Sequence, residues 1–383
     1  MQLFSEILFA VHDQAFDWSD AYIQPGLPVM LRTPSGNRSP EPRVIALEEI
    51  EQLAAHVWKA SGGEARAGTK WDARLKDESI KEAIDIESMI IGEDSEVQPP
   101  PTRLRFIISS ANAGQSLSLV VRKTPQAVPT LKQLGFPPHF ETLTSGNGLV
   151  MVTGPTGHGK STTVAAFIED IRTKNKASHI VITGDPLEFT HPSTPSCAVT
   201  SRQVGIDVKD YRTAAEDAMR MAPRVIEFGE IRDTETAMAA LMLGESGHLV
   251  FTTMQASTVE GAIAKLITLT AQHPGARESI AKILRGVIRP ALVPSIDGDR
   301  WCLAHEFMLN EGSFQQNLAN KPDDFTTVIR QLLRSGDLKR YGIALNHSLK
   351  SMVQKGEISE EAALTVSNDL DISGGTTALK LKD

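Results

Sequence analysis

Short apolar runs alternate with amphipathic segments through the middle of the chain. Each run has the length and composition of a buried strand, and each following segment spaces its apolar residues as a helix does. In chain order, the predicted strands and helices are Leu149–Thr153, Ser161–Arg172, His179–Thr183, Tyr211–Met221, Val225–Phe228, Thr234–Leu243 and His248–Thr253. This alternation favours a mainly parallel sheet with helices on both faces.

The pattern before residue 125 indicates a different kind of domain. Apolar residues at helical spacing predict an amphipathic helix over Leu3–Phe16. The other predicted elements are a strand over Val29–Arg32, a helix over Ala46–Trp58, a short strand over Ala83–Met89, and two antiparallel strands over Arg103–Ser109 and Ser116–Arg122. Residues 61–101 are otherwise polar and rich in turn formers, so we interpret them as an excursion within this first domain.

Two helices, a hairpin and a helical end are predicted beyond Glu260. The hairpin joins Ala291–Ile296 to Trp301–Phe307 and turns at Asp297 and Gly298. The last part is predicted to be a helical appendix with a frayed tail from Ser373, and its helices are Phe325–Leu333, Gly342–Lys355 and Ser359–Leu370.

Chain length and proline positions set the predicted domain boundaries. A chain of 383 residues is too long for one compact core. Pro125, Pro129 and Pro137 punctuate the connection between the two patterns. We therefore predict an N-terminal domain over residues 1–124, a linker over 125–138, a second domain over 139–310, and a helical C-terminal appendix and tail over 311–383.

Composition excludes several classes of protein. The net charge of -8 gives no electrostatic case for nucleic acid as the main partner, so we expect no direct nucleic-acid binding. Cys197 and Cys302 lie too far apart in sequence to suggest a disulfide framework or a cysteine-built zinc site. Apolar runs fall short of the roughly 18 residues that span a bilayer, and Met1–Ala10 does not resemble a signal peptide. These features lead us to expect a cytoplasmic protein.

The turn between the first strand and helix of the second domain contains a complete phosphate-binding motif. Gly154 is followed after four residues by Gly159, Lys160 and Ser161. The glycines let successive N–H groups point at phosphate oxygens, Lys160 supplies a charge to the β- and γ-phosphates, and the Ser161 hydroxyl is placed to ligate Mg²⁺. The residues predicted to bind ATP are Gly154, Pro155, Thr156, Gly157, His158, Gly159, Lys160, Ser161 and Thr162. The alternative is a glycine-rich turn without a ligand.

A carboxylate follows a glycine near the end of a later strand. Glu230 comes after the apolar run Val225–Phe228 and Gly229. A carboxylate at the carboxyl end of a central strand can orient a water for attack on the γ-phosphate, directly or through Mg²⁺. The alternative is an ordinary surface glutamate at a strand end. Glu227 is an acid within the strand itself, and it either faces a neighbouring subunit or pairs with a basic residue.

Two further clusters carry groups that a nucleoside triphosphatase needs. Asp185 and Glu188 follow the strand His179–Thr183 and either hold a magnesium-bound water or simply terminate the strand before Pro186. His248 opens a strand that we expect to run beside the phosphate loop, where a neutral imidazole could report the γ-phosphate to the next subunit. A structural histidine is the alternative.

The four clusters, in this order and spacing, resemble the PilT-type (type II/IV) secretion ATPase family. That family carries a Walker A loop, an aspartate box, a Walker B strand and a histidine box, here Gly154–Ser161, Thr183–Glu188, Gly229–Asp233 and Gly247–Thr253. The early segments Asp17–Asp20 and Pro28–Arg32 are similar to the start of the family's N-terminal PAS-like domain. The resemblance covers roughly residues 15 to 365.

This resemblance implies both a fold and an assembly. The fold is an N-terminal PAS-like α+β domain followed by a RecA-like α/β P-loop ATPase domain with a helical C-terminal appendix. The assembly is a bacterial cytoplasmic homo-hexamer that binds ATP and Mg²⁺ at its subunit boundaries. Its implied partners are inner-membrane or coupling components of a secretion or conjugation machine, which would bring it to the periphery of the membrane.

The resemblance also implies roles for single residues. Lys160 and Ser161 would bind phosphate and Mg²⁺, Glu230 would be the catalytic glutamate, and His248 the γ-phosphate sensor. Arg105 and Arg122 fall where family members place N-terminal-domain arginines that reach nucleotide in the ring. Taken together with the motif analysis above, the residues that we predict at the metal site are Ser161, Asp185, Glu188 and Glu230.

Departures from the family pattern point to one branch of it. Gly184 replaces a glutamate of the aspartate box, Gln255 replaces a second histidine of the histidine box, and His158 stands where serine is common in the phosphate loop. With the helical appendix, these traits look more like the type IVB branch, which contains the Dot/Icm effector-secretion ATPase and its IncI-plasmid conjugative counterpart; we favour the conjugative member. The alternatives are a type IV pilus retraction motor, a weakly hydrolysing structural switch, and a P-loop phosphotransferase or kinase.

Overall fold

The chain forms two compact units in a computed structural model. The residues that the structure describes are 3, 18–40, 43–75, 79–85, 103–124, 128–174, 176–311, 315–316, 318, 325–335 and 342–367. The N-terminal unit comprises Met1–Val128 with Pro186–Thr190, and the C-terminal unit comprises Pro129–Asp185 with His191–Asp383. Apart from Leu3, the predicted helix Leu3–Phe16 lies outside the described residues, as does the predicted tail from Ser373.

The N-terminal unit is built on an antiparallel sheet with helices. Its strands are β1 Asp20–Ile23, β2 Met30–Thr33, β3 Gly36–Arg38, β4 Ile80–Asp85, β5 Arg103–Ala111 and β6 Ser116–Thr124. Its helices are α1 Leu47–Ala60, α2 Gly63–Ala67 and α3 Trp71–Arg74. Along the sheet the order is β3-β2-β1-β6-β5-β4.

The core of this unit lies between α1 and the sheet. Ile50 and Val57 of α1 are buried with Phe106 of β5 and with Leu119 and Val121 of β6. Alternation in the middle of β6 buries Leu119 and Val121, with Leu117 partly buried on the same face, which is why its sequence is typical of a strand with one buried face. The predicted α1, β2, β5 and β6 are confirmed, whereas β1, β3, α2 and α3 were not predicted.

The C-terminal unit contains a larger, mainly parallel sheet. Its strands are β7 Gly148–Thr153, β8 His179–Gly184, β9 Ala198–Gln203, β10 Val225–Ile231, β11 Leu249–Met254, β12 Leu284–Pro294, β13 Trp301–Leu309 and β14 Gly342–Ile343. Its helices are a 3₁₀ helix at Pro138–Thr144, then α4 Lys160–Thr173, α5 Tyr211–Arg220, α6 Thr234–Glu245, α7 Val259–Leu269, α8 Ala276–Ile283, α9 Phe325–Ser335, α10 Leu345–Gln354 and α11 Glu360–Val366. The strand order is β14-β13-β12-β7-β11-β10-β8-β9.

The parallel strands bring several chain ends to one edge of this sheet. β7 pairs with β11, β11 with β10, and β10 with β8, all in parallel. Every residue of β7 is buried because the strand is central and covered on both faces, as its continuous apolar sequence predicts. We call the edge at which β7, β8, β10 and β11 end the carboxyl edge. In sheets of this type, ligands bind in the crevice outside the carboxyl ends of the strands.

The predicted hairpin and C-terminal helices are present: the hairpin strands join the large sheet, and α10 packs against them. β12 pairs with β7 in parallel and with β13 antiparallel, and Gly298 N–H donates to Ser295 O in the turn between them. β14 adds to β13, and Leu345 and Leu349 of α10 are buried against this hairpin. The helix predicted from Gly342 therefore begins only at Leu345, because Gly342 and Ile343 extend the sheet. The predicted four-part domain division stays a prediction.

Candidate functional site

The phosphate-binding motif forms a loop between β7 and α4 at the carboxyl edge. Gly154, Gly157 and Gly159 have φ values of 142°, 80° and 84°, which favour glycine strongly over residues with a side chain. Gly159 is the N-cap of α4, so the loop leads directly into the positive end of a helix of 14 residues. Lys160 and Ser161 are the first two residues of that helix. The local backbone thus has the form that anion binding requires.

Lys160 folds back onto the loop that it would serve. Its Nζ donates hydrogen bonds to the carbonyls of Gly154 at 3.0 Å and Pro155 at 3.1 Å. These contacts hold a cationic group within the loop, where it can exchange carbonyl oxygens for phosphate oxygens. His158 fixes the other side of the loop, because Leu292 N–H of β12 donates to His158 Nδ1 at 3.3 Å. The replacement of serine by histidine therefore gives the loop an attachment to the neighbouring strand.

The remaining loop residues leave room for a ligand. Pro155 and Thr156 are exposed, and Gly157, Ser161 and Thr162 are half-buried at the carboxyl edge. Thr163 is buried, and its hydroxyl links the first turn of α4 to the end of the loop by donating to Gly159 O at 2.9 Å. Among the described residues, no group of three or more His, Cys, Asp or Glu side chains could hold a metal ion. Mg²⁺ needs no such group, because it is commonly held by one or two protein oxygens with substrate phosphates and waters.

A bulge in β10 sets the position of Glu230. The register between β10 and β11 shifts between Glu227 and Glu230, which brings Glu230 level with Thr253, itself level with Val152 of β7. Such a bulge re-aims the side chain that follows it. The Thr253 hydroxyl holds the shifted backbone by donating to Gly229 O at 3.2 Å. Since β11 alone separates β10 from β7, Glu230 lies about 10 Å across the sheet from the phosphate-loop strand.

Glu230 belongs to a small group of polar side chains around Tyr211. Arg232 Nε donates to Glu230 Oε2 at 2.8 Å, and the Glu230 side chain is largely shielded from solvent. Burial, together with the negative charges of Asp185 and Glu230, raises the pKa of Tyr211 to about 12. The phenol therefore stays neutral near pH 7, and its role is to pack against neighbouring residues rather than to act as an acid or base. The charge of Glu227 also raises the pKa of Tyr211.

His248 does not lie at the phosphate loop, and its placement there from the sequence was wrong. It precedes β11, whose first residue Leu249 is paired with Gly148, the first residue of β7. Gly148 N–H donates to His248 O at 2.9 Å. The phosphate loop begins only after the other end of β7, about 20 Å away at roughly 3.3 Å per residue. The His248 imidazole is hydrogen-bonded to Ser246 Oγ instead, at 2.8 Å between Nδ1 and Oγ.

Gln255 occupies the position that was expected for His248. It follows Met254, the last residue of β11, which is level with Thr153 at the start of the phosphate loop. The Thr153 hydroxyl donates to Met254 O at 3.1 Å and lies 3.3 Å from Ala256 O. Gln255 is exposed at this edge, and its backbone carbonyl accepts a hydrogen bond from Lys265 Nζ. The direction of a parallel strand was the signal that could have identified it.

The N-terminal unit brings Arg105 and Arg122 together. The two residues are register partners on β5 and β6, so their side chains share one face of the sheet. Arg105 Nη1 donates to Glu188 Oε1 at 2.7 Å, and Glu188 belongs to the N-terminal unit. Arg122 Nε donates at 2.8 Å to Oδ1 of the buried Asp20. Glu188 is thus an ion-pair partner, whereas Asp185 belongs to the C-terminal unit, where its charge raises the pKa of Tyr211.

Known proteins share the sequence and the fold. Residues 102–335 match the family described as type II/IV secretion system protein. The type IV pilus retraction ATPase PilT of Pseudomonas aeruginosa is 34% identical over 266 residues, which cover 69% of this chain and 75% of that protein. A twitching motility protein of Neisseria gonorrhoeae is 32% identical over 266 residues, which cover 69% of this chain and 70% of that protein.

Two solved structures have similar folds. The Legionella pneumophila ATPase DotB has a TM-score of 0.75 at 23% identity, with 95% of each chain covered. The pilus retraction motor PilT with bound ADP has a TM-score of 0.71 at 26% identity, with 96% of each chain covered. The predicted fold, an N-terminal domain followed by a RecA-like ATPase domain, is confirmed by these likenesses. Within the described part of the chain, we find no helix both long and apolar enough to cross a membrane.

Proposed function

The chain belongs to the type II/IV secretion system protein family and is an ATPase, and we propose that it works as a hexameric motor hydrolysing ATP at its subunit boundaries. The observation that carries this proposal is the carboxyl edge, because the phosphate loop and Glu230 both lie at it. The loop has the backbone conformation for binding phosphates, and the β10 bulge turns a carboxylate toward the same edge. One edge therefore holds both a phosphate-binding group and a group that can orient water.

The residues divide the chemistry among them. Lys160 would exchange its two loop carbonyls for the β- and γ-phosphate oxygens, and Ser161 would provide a hydroxyl ligand for Mg²⁺. Magnesium, when bound, neutralises charge that develops on the phosphates. Glu230 orients the attacking water by accepting its hydrogen bond, with Arg232 fixing the other carboxylate oxygen. In this proposal Gln255, rather than His248, contacts the γ-phosphate or that water, since Gln255 follows the end of β11 that is level with Thr153.

Arg105 and Arg122 are proposed to reach the nucleotide of a neighbouring subunit. Their positions as register partners give one sheet face two adjacent guanidinium groups, which suits a phosphate chain. Each is currently paired with an acid of its own unit, Glu188 or Asp20. Ring assembly would then exchange an internal carboxylate for a phosphate, and hydrolysis would depend on ring geometry.

The type IVB secretion or conjugation machine is the favoured setting, with the protein in the cytoplasm and drawn to the inner membrane by partners. Three substitutions relative to the family pattern support this branch: Gly184, Gln255 and His158. A type IV pilus retraction motor is the second candidate, because PilT of Pseudomonas aeruginosa is 34% identical. Expression in a piliated strain that lacks its retraction ATPase separates the two. We expect no recovery of twitching, and full recovery would favour the pilus motor.

Turnover measured against protein concentration tests the motor itself. Molecular mass is followed by light scattering with and without ATP and Mg²⁺. We expect turnover per subunit to rise as a hexamer appears, because each site is completed by a neighbour. Tight ATP binding and ring formation with negligible turnover would instead favour the weakly hydrolysing switch. Turnover that needs an added acceptor would favour a phosphotransferase.

A further inference from the structure

Two oppositely charged side chains are buried together on neighbouring strands of the C-terminal unit. Arg289 of β12 and Glu306 of β13 are register partners, and each side chain is 5% exposed. Arg289 Nη1 and Glu306 Oε2 are 3.7 Å apart, which is an ion pair but too long for a hydrogen bond. Nε and Nη1 of Arg289 have no hydrogen-bond partner among the described residues. Such a pair is expensive to desolvate, so stability alone is a poor reason for it.

The arginine side of the pair lies next to the phosphate loop, because β12 runs beside β7 with Ile288 level with Val152. A Cβ atom on Gly154 would lie 3.8 Å from Arg289 Cγ and 3.4 Å from Pro290 O. An added methyl group would therefore just fit between them, so the stem of Arg289 and the carbonyl of Pro290 lie next to Gly154 and leave no more than that space. Gly154 is the first residue of the loop and accepts the Lys160 hydrogen bond through its carbonyl. Arg289 is therefore a neighbour of the residue at which the loop begins, and a shift of its stem would change the space beside Gly154.

The glutamate side of the pair holds a helix on the other flank of the site. Val259 N–H donates to Glu306 Oε2 at 3.3 Å, and Val259 is the first residue of α7. A carboxylate in this position is favoured by the partial positive charge of the helix N-terminus. Residues 255–258 lead into this helix, and they include Gln255. Glu306 therefore fixes one end of the segment whose other end is held by Thr153.

We propose that Arg289 and Glu306 are positioning residues for ATP turnover, which together hold loop 255–258 in place relative to Gly154. The inference rests on the proposed hydrolysis at the carboxyl edge. Neither side chain contacts the nucleotide; both act through the backbone that carries Gly154 and Gln255. A displacement of about 1 Å at such a site can reduce turnover by up to about a hundredfold.

The charge of Glu306 controls whether the pair can form. Burial raises the pKa of Glu306 to about 7, against the attraction of Arg289 and with added repulsion from Glu260. Glu260 on α7 accepts a hydrogen bond from Arg330 Nε of α9 at 2.8 Å, so the groups facing Glu306 are Arg289, Glu260 and Arg330. The carboxyl is neutral below this pKa and charged above it. The pair, and with it the fixed loop, is therefore expected to form as pH rises through neutrality.

A double replacement separates positioning from stability. Arg289→Met with Glu306→Leu removes both charges and keeps apolar volume, an exchange that is often neutral or stabilising for a buried ion pair. We expect an unchanged or higher melting temperature, ATP affinity within about twofold of the wild type, and a kcat lower by about tenfold. Amide hydrogen exchange of residues 255–258 should become faster. Wild-type kcat together with wild-type exchange in this folded variant would overturn the proposal.

A single replacement tests the pH dependence. Glu306→Gln keeps an oxygen that can accept from Val259 N–H but cannot change charge, so the limb of the kcat–pH profile near neutrality should disappear. Glu169→Gln, which breaks a partly buried ion pair on α4, is the matched control and should keep that limb. A wild-type profile in Glu306→Gln would contradict the proposal. Hydrogen exchange of loop 255–258 gives a result even where the wild type turns ATP over slowly, so failure of the motor assignment is distinguishable.

Discussion

The aromatic ring of Tyr211 lies against the backbone of Gly229, where a Cβ atom would overlap it. Gly229 is the residue before Glu230, and the register of β10 against β11 shifts across it. The ring therefore requires a residue without a side chain at the point where the strand turns its carboxylate outward. Steric contact with Tyr211, the first residue of α5, therefore explains why the Walker B motif has a glycine at this position in this chain.

Gly229→Ala tests this relationship. We expect turnover to fall by at least about tenfold, because either Tyr211 or the β10 bulge must move and Glu230 moves with it. Stability should fall by roughly 2 kcal/mol, a typical effect of a clash in a packed core. Gly275→Ala is the matched control. Gly275 also has a positive φ, +79°, but a Cβ added there would meet no other atom within 4 Å. Its strain is local, so turnover there should stay near wild type.

Glu230→Gln should separate binding from hydrolysis. The amide keeps the size of the side chain but is a much weaker base and a poorer acceptor for the attacking water. We expect ATP binding close to that of the wild type and turnover reduced by about a hundredfold or more. Equilibrium binding of a fluorescent ATP analogue and phosphate release are the two measurements. Lys160→Ala should instead abolish binding, and wild-type turnover in Glu230→Gln would show that another group orients the water.

Arg122→Ala is expected to affect both stability and turnover, so it needs a partner variant. Among the described residues, removing Arg122 leaves the buried Asp20 with Ser19 Oγ at 2.8 Å and Arg32 at 3.6 Å, which should cost about 2 kcal/mol. Arg122→Ala with Asp20→Asn removes the charge that would be left behind and should recover most of the melting temperature. If Arg122 acts across the subunit boundary, turnover in the ring stays low in this stable double variant. Recovery of turnover along with stability would indicate a structural role.

The sequence predicted the phosphate loop and most of the parallel sheet, because both depend on local patterns. Three glycines before a lysine at a strand-to-helix turn dictate a backbone shape, and a continuous apolar run dictates a central strand. β1 and β9 were missed because their sequences, Asp20–Ile23 and Ala198–Gln203, are short or polar. Their pairing comes from neighbours distant in sequence, and no local pattern encodes it.

Contacts between distant residues account for the rest of what the sequence did not show. Arg122 and Asp20 are 102 positions apart, and neither local sequence indicates that the two side chains form an ion pair. Arg289 and Glu306 likewise become partners only through the β12–β13 register. The error over His248 is different in kind, since strand direction alone places it at the end of β11 opposite the phosphate loop.

Acid stability should depend on Glu169. Hydrogen bonds from His191 and then Arg172 lower the pKa of Glu169 to about 2. Because the folded pKa lies below the ordinary value of 4.5, the stabilisation is present above that value and is lost as pH falls toward 2. Glu169→Gln should lower the free energy of unfolding by about 2 kcal/mol at pH 7, with a smaller difference at pH 3.5. Urea unfolding measures this, and Glu216→Gln, in an exposed pair with Arg212, should have almost no effect.

Gln255→Ala and His248→Ala form a pair that tests the corrected site. Gln255 follows the strand end that is level with Thr153, so its loss should reduce turnover by about tenfold or more while ATP binding is retained. His248 pairs at the far end of the same strand, and its imidazole bonds to Ser246, so His248→Ala should leave turnover within about twofold. Phosphate release from the assembled ring is the measurement for both. The reverse result, a slow His248 variant and a normal Gln255 variant, would mean that the strand register places the γ-phosphate contact wrongly. If Gln255 contacts the γ-phosphate, Gln255→His should retain measurable turnover, because an imidazole at this position can also donate to a phosphate oxygen. If Gln255 does not contact it, this variant gives no information about the site.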